Sequence, residues 1–341
     1  MWISNLFAFL VIVGVAAAFY WVKKHRLWRA AAKSLIARRP IALSVMALFL
    51  LVALLDSIMW IGGGSVEGAA DIVAASKPRS LIDRVFAPET FREKSYSAPF
   101  AAQEFYGGAD LNFPGQHILG TDVLGRDVLY LTLKGAKIAL LIGGVTSLIV
   151  IPLALLFGVS AGYFGGRLDD AVFFVMSTLA SIPNLLLLIA LIMVMGKGAL
   201  QICIALGVTG WVGFSRLARA ETMKLRELDY VHAARALGVS DTRIILRHIL
   251  PNLSHLMVIT FALLFTGFVL SEAILSYLGI GVDGSWGQMI DRARDELSRD
   301  PIIWWNLLGA STALFLLVLC INLVGDAVRD ILDPRTLRER Q

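Results

Sequence analysis

The 341-residue chain has little charge and almost no cysteine. Charged residues make up 17% of it, against about 25% in ordinary soluble domains. Its two cysteines, Cys203 and Cys320, lie inside apolar runs, which excludes a disulfide framework or a Cys-rich metal site. No G-x-x-x-x-G-K-[ST] phosphate loop occurs; the nearest Gly/Lys cluster, Gly196-Lys197-Gly198, is a turn between two apolar stretches. No H-E-x-x-H occurs either. The five histidines (His25, His117, His232, His248, His255) are scattered, and Pro251 separates the last two. Gly213-Phe214-Ser215 lacks the flanks and the His partner of a membrane serine hydrolase. Buried acids are expected to be nearly absent, Glu272 being the exception, and the inverted repeats and paired charges of a secondary transporter are missing. A soluble enzyme and a disordered protein are thereby excluded, and the absent nucleophile–base pairing argues against a membrane-embedded hydrolase.

What the chain has is apolar length: 57% of it is hydrophobic. Seven runs, near 2–22, 41–61, 138–164, 171–195, 199–215, 255–279 and 305–327, are long enough to cross a hydrocarbon layer of about 30 Å. They show no strand-like alternation, so they read as helices of an all-α polytopic membrane protein in contact with lipid. In the first run the basic residues follow the apolar stretch instead of preceding it, so it reads as a retained span and not a cleaved leader.

The net charge of +5 is informative once located. Lys23, Lys24, Arg26, Arg29, Lys33, Arg38 and Arg39 follow the first span. Arg216, Arg219, Lys224, Arg226, Arg235, Arg243 and Arg247 follow the fifth, and Arg329, Arg335, Arg338 and Arg340 lie in the tail. With seven spans all three groups share one side, expected to be the cytoplasm. The amino terminus is then outside, the carboxyl terminus inside, and 62–136 external. The basic excess is a topology signal and not a nucleic-acid surface.

The external stretch opens with Gly62-Gly63-Gly64 and is punctuated by Pro78, Pro88, Pro99 and Pro114. From His117 to Lys137 the spacing of Leu124, Val128, Leu131 and Leu133 predicts an amphipathic helix along the interface before span three. Trp286, Trp304 and Trp305 read as interface anchors. Pro183, in Ser181-Ile182-Pro183-Asn184, is expected to kink span four, with freed backbone groups facing a cavity or satisfied by Asn184.

The 216–252 loop reads as helix, break, helix. Asp229 is expected to cap a helix through Leu237 whose small surface is Ala233, Ala234 and Ala236. Gly238 is placed as its C′ residue. Ser240 is expected as the next N-cap, with Asp241 in the first turn and Pro251 closing the second helix. Such a helix suits docking to a partner protein, or equally a cover over the bundle end.

These residues resemble the inner-membrane permease subunits of ATP-binding-cassette importers of the dipeptide/oligopeptide/nickel group. Their signature, E-A-A, three residues, Gly, nine residues, I-x-L-P, is met by Ala233-Ala234, Gly238 and Leu250-Pro251, with His232 and His248 in the Glu and Ile places. The peptide-importer form matches Tyr230 to Gly238 and Arg247 to Asn252. His117-x-Leu119-Gly120-Thr121-Asp122-x-x-Gly125-Arg126-Asp127 is similar to the external motif of the second, C-type permease. Gly162-Tyr163-Phe164-Gly165-Gly166, Leu275 to Gly281, Ser285-Trp286-Gly287 and Asn322 to Arg335 complete the pattern.

The resemblance implies a six-helix importer-type permease core preceded by one extra transmembrane helix. The parts are the extra helix 1–22, a basic linker 23–40, the first core helix 41–61, the periplasmic region 62–136, a five-helix core 137–327 and a tail 328–341. It implies location in the bacterial inner membrane and a pairing with a second homologous permease. It further implies one or two partner ATPases and a periplasmic solute-binding protein. The chain itself would be no enzyme and hold no cofactor, ATP and Mg residing on the ATPases. The cargo implied is peptide, with nickel or a peptide-like antibiotic as the alternative. Asp229, Tyr230, Ala233, Ala234, Arg235, Gly238, Ser240, Arg247, His248 and Pro251 would form the ATPase-coupling loop. Gly120, Thr121, Asp122, Gly125, Arg126 and Asp127 would form the periplasmic motif, where Arg126 and Asp127 either pin the interfacial helix or meet a partner. Glu272, Ser271 and Asn184 are the residues that would line a pathway; Glu272 would otherwise hydrogen-bond to Ser271 or a neighbouring helix.

Overall fold

The computed structural model describes residues 5, 9, 12–14, 20, 23–24, 26–61, 78–88 and 90–332. The expectations for span 2–22 and for the stretch 62–77 lie essentially outside these residues, as does that for the end of the tail. Two compact units form: 1–141 with 272–321, and 142–271 with 322–341.

In the first unit, α1 (Arg26–Arg38) and α2 (Pro40–Ser57) are separate helices, Pro40 opening the second where its missing N–H costs nothing. Strand β1 (Met59–Ile61) then pairs antiparallel with β2 (Pro78–Ser80), and α3 (Leu81–Phe86) follows behind a reciprocal Ser80–Asp83 capping box. Helix α4 (Val128–Phe164) is 37 residues long. No separate interfacial helix precedes it, contrary to the spacing of 117–137. Residues 117–127 are turns, and from Val128 the expected amphipathic stretch is simply the first part of span three. Asp127 decides this start, since its Oδ1 accepts the Tyr130 N–H at 3.0 Å and stops the helix from running further back. Helix α11 (Trp286–Glu296) begins at Ser285, whose hydroxyl caps Gln288 N–H, and α12 (Trp305–Leu332) is the last apolar helix.

In the second unit the span containing Pro183 is broken, not merely kinked. Helices α5 (Gly166–Ser181) and α6 (Asn184–Met195) meet at 89° across Ile182-Pro183. Proline there removes a donor and pushes its predecessor out of helical backbone. Helix α7 (Ala199–Arg226) outruns the expected fifth span by two turns or more into the 216–252 loop. The loop continues as α8 (Asp229–Ala236), α9 (Asp241–Ile244), a π-turn at Ile245–Ile249 and α10 (Leu250–Tyr277). Among the described residues, five helices are long and apolar enough to cross a membrane, or six when α5 and α6 count as one.

Gly158 and Gly162 let α4 lie directly on α7. A methyl group at Gly162 would stand 2.6 Å from the Arg219 carbonyl, and one at Gly158 would stand 2.5 Å from that of Ser215. The spacing is a G-x-x-x-G, whose bare backbone permits close helix approach. Arg219 forms a bidentate pair with Asp169 from the same unit, joining α7 to α5.

Candidate functional site

The 229–252 loop is built from a buried anchor and an uncovered outer face. On α8, Val231 is fully buried in a cluster with Val159, Tyr163, Ile244, Ile249 and Leu253. Ala234 packs against that cluster, so it is not part of the small outer surface. That surface is Ala233 and Ala236, flanked by Tyr230 and by Leu237, which is 84% exposed. The cap residue of α8 is Leu228 and not Asp229; Asp229 occupies the first turn, where its charge suits the helix dipole.

At the other end, Val239 N–H reaches Ala234 O at 3.1 Å and Gly238 N–H reaches Arg235 O at 3.0 Å. This is a Schellman closure, and Gly238 at φ +76° supplies the left-handed residue it requires. Ser240 does stand at the N-cap of α9, yet its side chain makes no cap bond. Asp241 instead accepts the Tyr163 hydroxyl at 2.7 Å. Arg235 lies over the Tyr163 ring, 5.1 Å from its centroid.

Pro251 does not close the second helix. It sits in the first turn of α10, directly after the π-turn, and the helical run continues from Asp241 to Tyr277. A wider turn relieves the clash between the proline ring and the carbonyl four residues back, so the chain passes through without breaking. His248 in that π-turn faces the Tyr230 ring at 5.9 Å, and Asn252 donates to His248 O at 2.6 Å and to Tyr230 OH at 3.2 Å. Arg247 is exposed beside it.

The 117–127 motif closes on itself. Asp122 accepts the backbone N–H groups of Leu124 and Arg126 at 2.9 Å and the Arg126 guanidinium at 2.6 Å. Arg126 therefore pairs with Asp122, while Asp127 caps α4 and bonds His117 Nδ1 at 2.8 Å. Gly125 (φ +70°) passes so close to the Glu93 backbone that no side chain fits. Thr121, fully buried, donates to Ser95 O at 2.8 Å and accepts from Ser97 N–H at 2.7 Å, and Gly120 is buried next to it.

A single family model, described as the binding-protein-dependent transport system inner membrane component, matches residues 154–338, which include the whole 229–252 loop. The chain belongs to this family. The transport component is 32% identical over 253 residues to the oligopeptide transport system permease protein OppC of Haemophilus influenzae, covering 73% of this chain and 78% of that one. It is 36% identical over 229 residues to the dipeptide transport system permease protein DppC of Bacillus subtilis, covering 65% and 70%. It is 34% identical over 245 residues to the glutathione transport system permease protein GsiD of Pectobacterium atrosepticum, covering 70% and 80%. It is thus a multi-pass membrane permease and a transport component.

Elsewhere in the permease, Glu272 is 3% exposed and accepts the Ser276 hydroxyl, which in turn accepts Val282 N–H at 3.1 Å. Its bonding partners are thus Ser276, one turn along its own helix, and Ser285 at the N-cap of α11, with the Val282 N–H beside them. Ser271 is half-buried and Asn184 exposed at the start of α6. Two of the three expected tryptophan anchors are interior residues. Trp286 is 2% exposed and donates to Thr132 O at 2.8 Å, and Trp305 is 1% exposed and donates to Thr121 O at 2.9 Å. A satisfied indole N–H lets the ring be buried entirely; Trp304 alone is exposed.

The shortage of buried acids inferred from the apolar runs does not hold either. Asp56, 3% exposed at the end of α2, meets Lys134 at 3.2 Å, Lys137 at 3.4 Å and the Ser80 hydroxyl at 2.8 Å. Lys134 also meets Asp83 at 2.6 Å, and Tyr130 donates to Asp83 at 2.8 Å. Burial pushes the Asp83 carboxyl up, but the Lys134 and Ser80 hydrogen bonds outweigh it and hold it below the ordinary 3.8. The signal available was Lys134 and Lys137 one turn apart within an otherwise apolar helix, which demands buried partners. Glu296, between Tyr96 OH at 3.1 Å and Asn306 Nδ2 at 2.6 Å, is held above the usual carboxylate range by burial. Tyr96 is pushed up to about 12 by burial and by that carboxylate.

Proposed function

We propose that this chain is one of two paired membrane subunits through which an ATP-driven importer of the bacterial inner membrane passes peptides delivered by a periplasmic binding protein. The observation that carries the reading is α8, held from beneath by Val231 and Ala234 and leaving Tyr230, Ala233, Ala236 and Leu237 uncovered. A helix with a small, apolar outer face, fixed to a membrane helix at its back, is suited to sit in a cleft of an ATPase and follow its closure. ATP and Mg belong to those partner chains. The basic residues of α7 to α9 support a cytoplasmic position for this loop, and with seven spans the amino terminus is then outside and the carboxyl terminus inside. Peptide cargo is supported by the names of the relatives, which are oligopeptide, dipeptide and glutathione permeases.

The test is Ala233→Arg in the assembled complex with its ATPases and binding protein, reconstituted in proteoliposomes. Ala233 is exposed, so the substitution obstructs docking without entering the core. Uptake of a mixed di- and oligopeptide pool is expected to fall more than about tenfold, equivalent to one good interface contact, while the protein stays in the membrane. Normal uptake would refute the docking role. Stimulation of ATP hydrolysis by nickel and not by peptides would replace the cargo.

A further inference from the structure

We infer that Tyr163 is the positioning residue that transmits movement of α8 and α9 to membrane helix α4; the inference rests on the coupling role just proposed. Tyr163 is the penultimate residue of α4 and is 4% exposed. Its hydroxyl donates to the exposed Asp241 carboxylate on α9 at 2.7 Å, and the Arg235 guanidinium of α8 lies over its ring at 5.1 Å. The ring itself packs in the cluster of Val231, Ile244 and Ile249. One side chain therefore grips α8 through a cation and α9 through an anion, while its backbone ends a membrane-crossing helix.

The rest of the local structure removes slack around this grip. The Schellman turn at Gly238 fixes α8 against α9. Behind Tyr163, α4 is seated on α7 through Gly158 and Gly162, and Arg226 donates to Gly162 O at 2.8 Å. A displacement of Arg235 and Asp241 therefore passes to α4 through Tyr163. A neutral donor on a charged acceptor is among the stronger hydrogen bonds, and a buried aromatic ring has few alternative rotamers.

Tyr163→Phe separates the two contributions, because it keeps the ring, the cluster and the guanidinium over the ring, and deletes only the hydroxyl that meets Asp241 and Arg235. The measurement is peptide uptake per ATP hydrolysed by the reconstituted complex. Tyr163→Phe is expected to lower that ratio about tenfold. Asp241→Asn, which keeps an acceptor oxygen, is expected to lower it less. The double variant is expected to be no worse than Tyr163→Phe alone, since both act on one bond. An unchanged ratio in Tyr163→Phe would overturn the inference, as would equal loss of uptake and hydrolysis, the mark of a merely unstable complex. Losses that multiply in the double variant would also overturn it. Ala233→Arg separates the two levels. If it blocks uptake while Tyr163→Phe is normal, only the transmission role falls; if it transports normally, the coupling role falls and this one with it.

Discussion

The Asp56 cluster and the 229–252 loop both lie beside apolar helices, yet they are held in opposite ways. Around Asp56, two lysines, two aspartates, a serine and a tyrosine satisfy one another, and α2, α3 and α4 are tied by charge. In the 229–252 loop the interior is an apolar cluster, and the polar ties around Tyr163 run from its hydroxyl to Asp241 and from its hydroxyl and ring to Arg235. Its ionisable groups are mostly exposed. A closed charge network is costly to open, because every partner left behind is a buried charge. An apolar cluster with an uncovered outer face can shift as a body and accept a partner. On the proposed coupling role, the first assembly acts as a clamp and the second as a joint.

The sharpest way to break that comparison is Asp56→Ala. It removes the carboxylate shared by Lys134 and Lys137, and stability is expected to fall by about 3–5 kcal/mol, read as a lower thermal midpoint in detergent. A loss below about 1 kcal/mol, the range of an exposed pair, would show that the network is not a clamp. Next in size is Asp83→Asn, expected to cost about 2 kcal/mol at neutral pH, between the exposed and buried limits. It carries a pH signature. Because the Asp83 carboxyl is held below 3.8 in the folded chain, its stabilisation is complete above that pH and is lost as pH falls through the depressed value. The acid-side decline of the thermal midpoint should therefore be shallower in Asp83→Asn; an unchanged profile would remove Asp83 from the clamp. The smallest effect belongs to the joint. Gly238→Ala meets no neighbouring atom, so only the left-handed backbone is penalised, by about 1–2 kcal/mol. Faster hydrogen exchange is expected at the Gly238 and Val239 amides, with exchange around Asp83 unchanged; protection equal to wild type would mean that the Schellman turn does not hold the joint.

The joint was more legible than the clamp. Gly238 announces a left-handed cap by its residue type and by its position after a run of good helix formers, and the turn is where the pattern placed it. Ala234 shows the limit of such reading. It is as small as Ala233, and only the packing of Val231 against Tyr163 and Ile244 decides which of the two alanines faces inward. Pro251 shows another limit: the rule that proline ends a helix describes α-helical geometry, and the π-turn before it changes that geometry. Trp286 and Trp305 read as anchors from their place near the outer ends of apolar runs, but the buried indoles need polar partners. That these partners are the carbonyls of Thr132 and Thr121, 154 and 184 residues away, is invisible to any local pattern.

By itself, the sequence determined the class of molecule, most of the apolar helices among the described residues, the 229–252 motif and the glycine that ends its first helix. These follow from composition, periodicity and local backbone preference, which act over a few residues or a membrane thickness. Only the tertiary structure decided that Asp56, Asp83, Lys134 and Lys137 form one network, that Glu272 bonds Ser276, and that Tyr163 holds Asp241 beneath Arg235. Most of these pairings join residues far apart in the chain, and a buried charge or hydroxyl takes whichever partner the packing of helices brings within hydrogen-bonding distance.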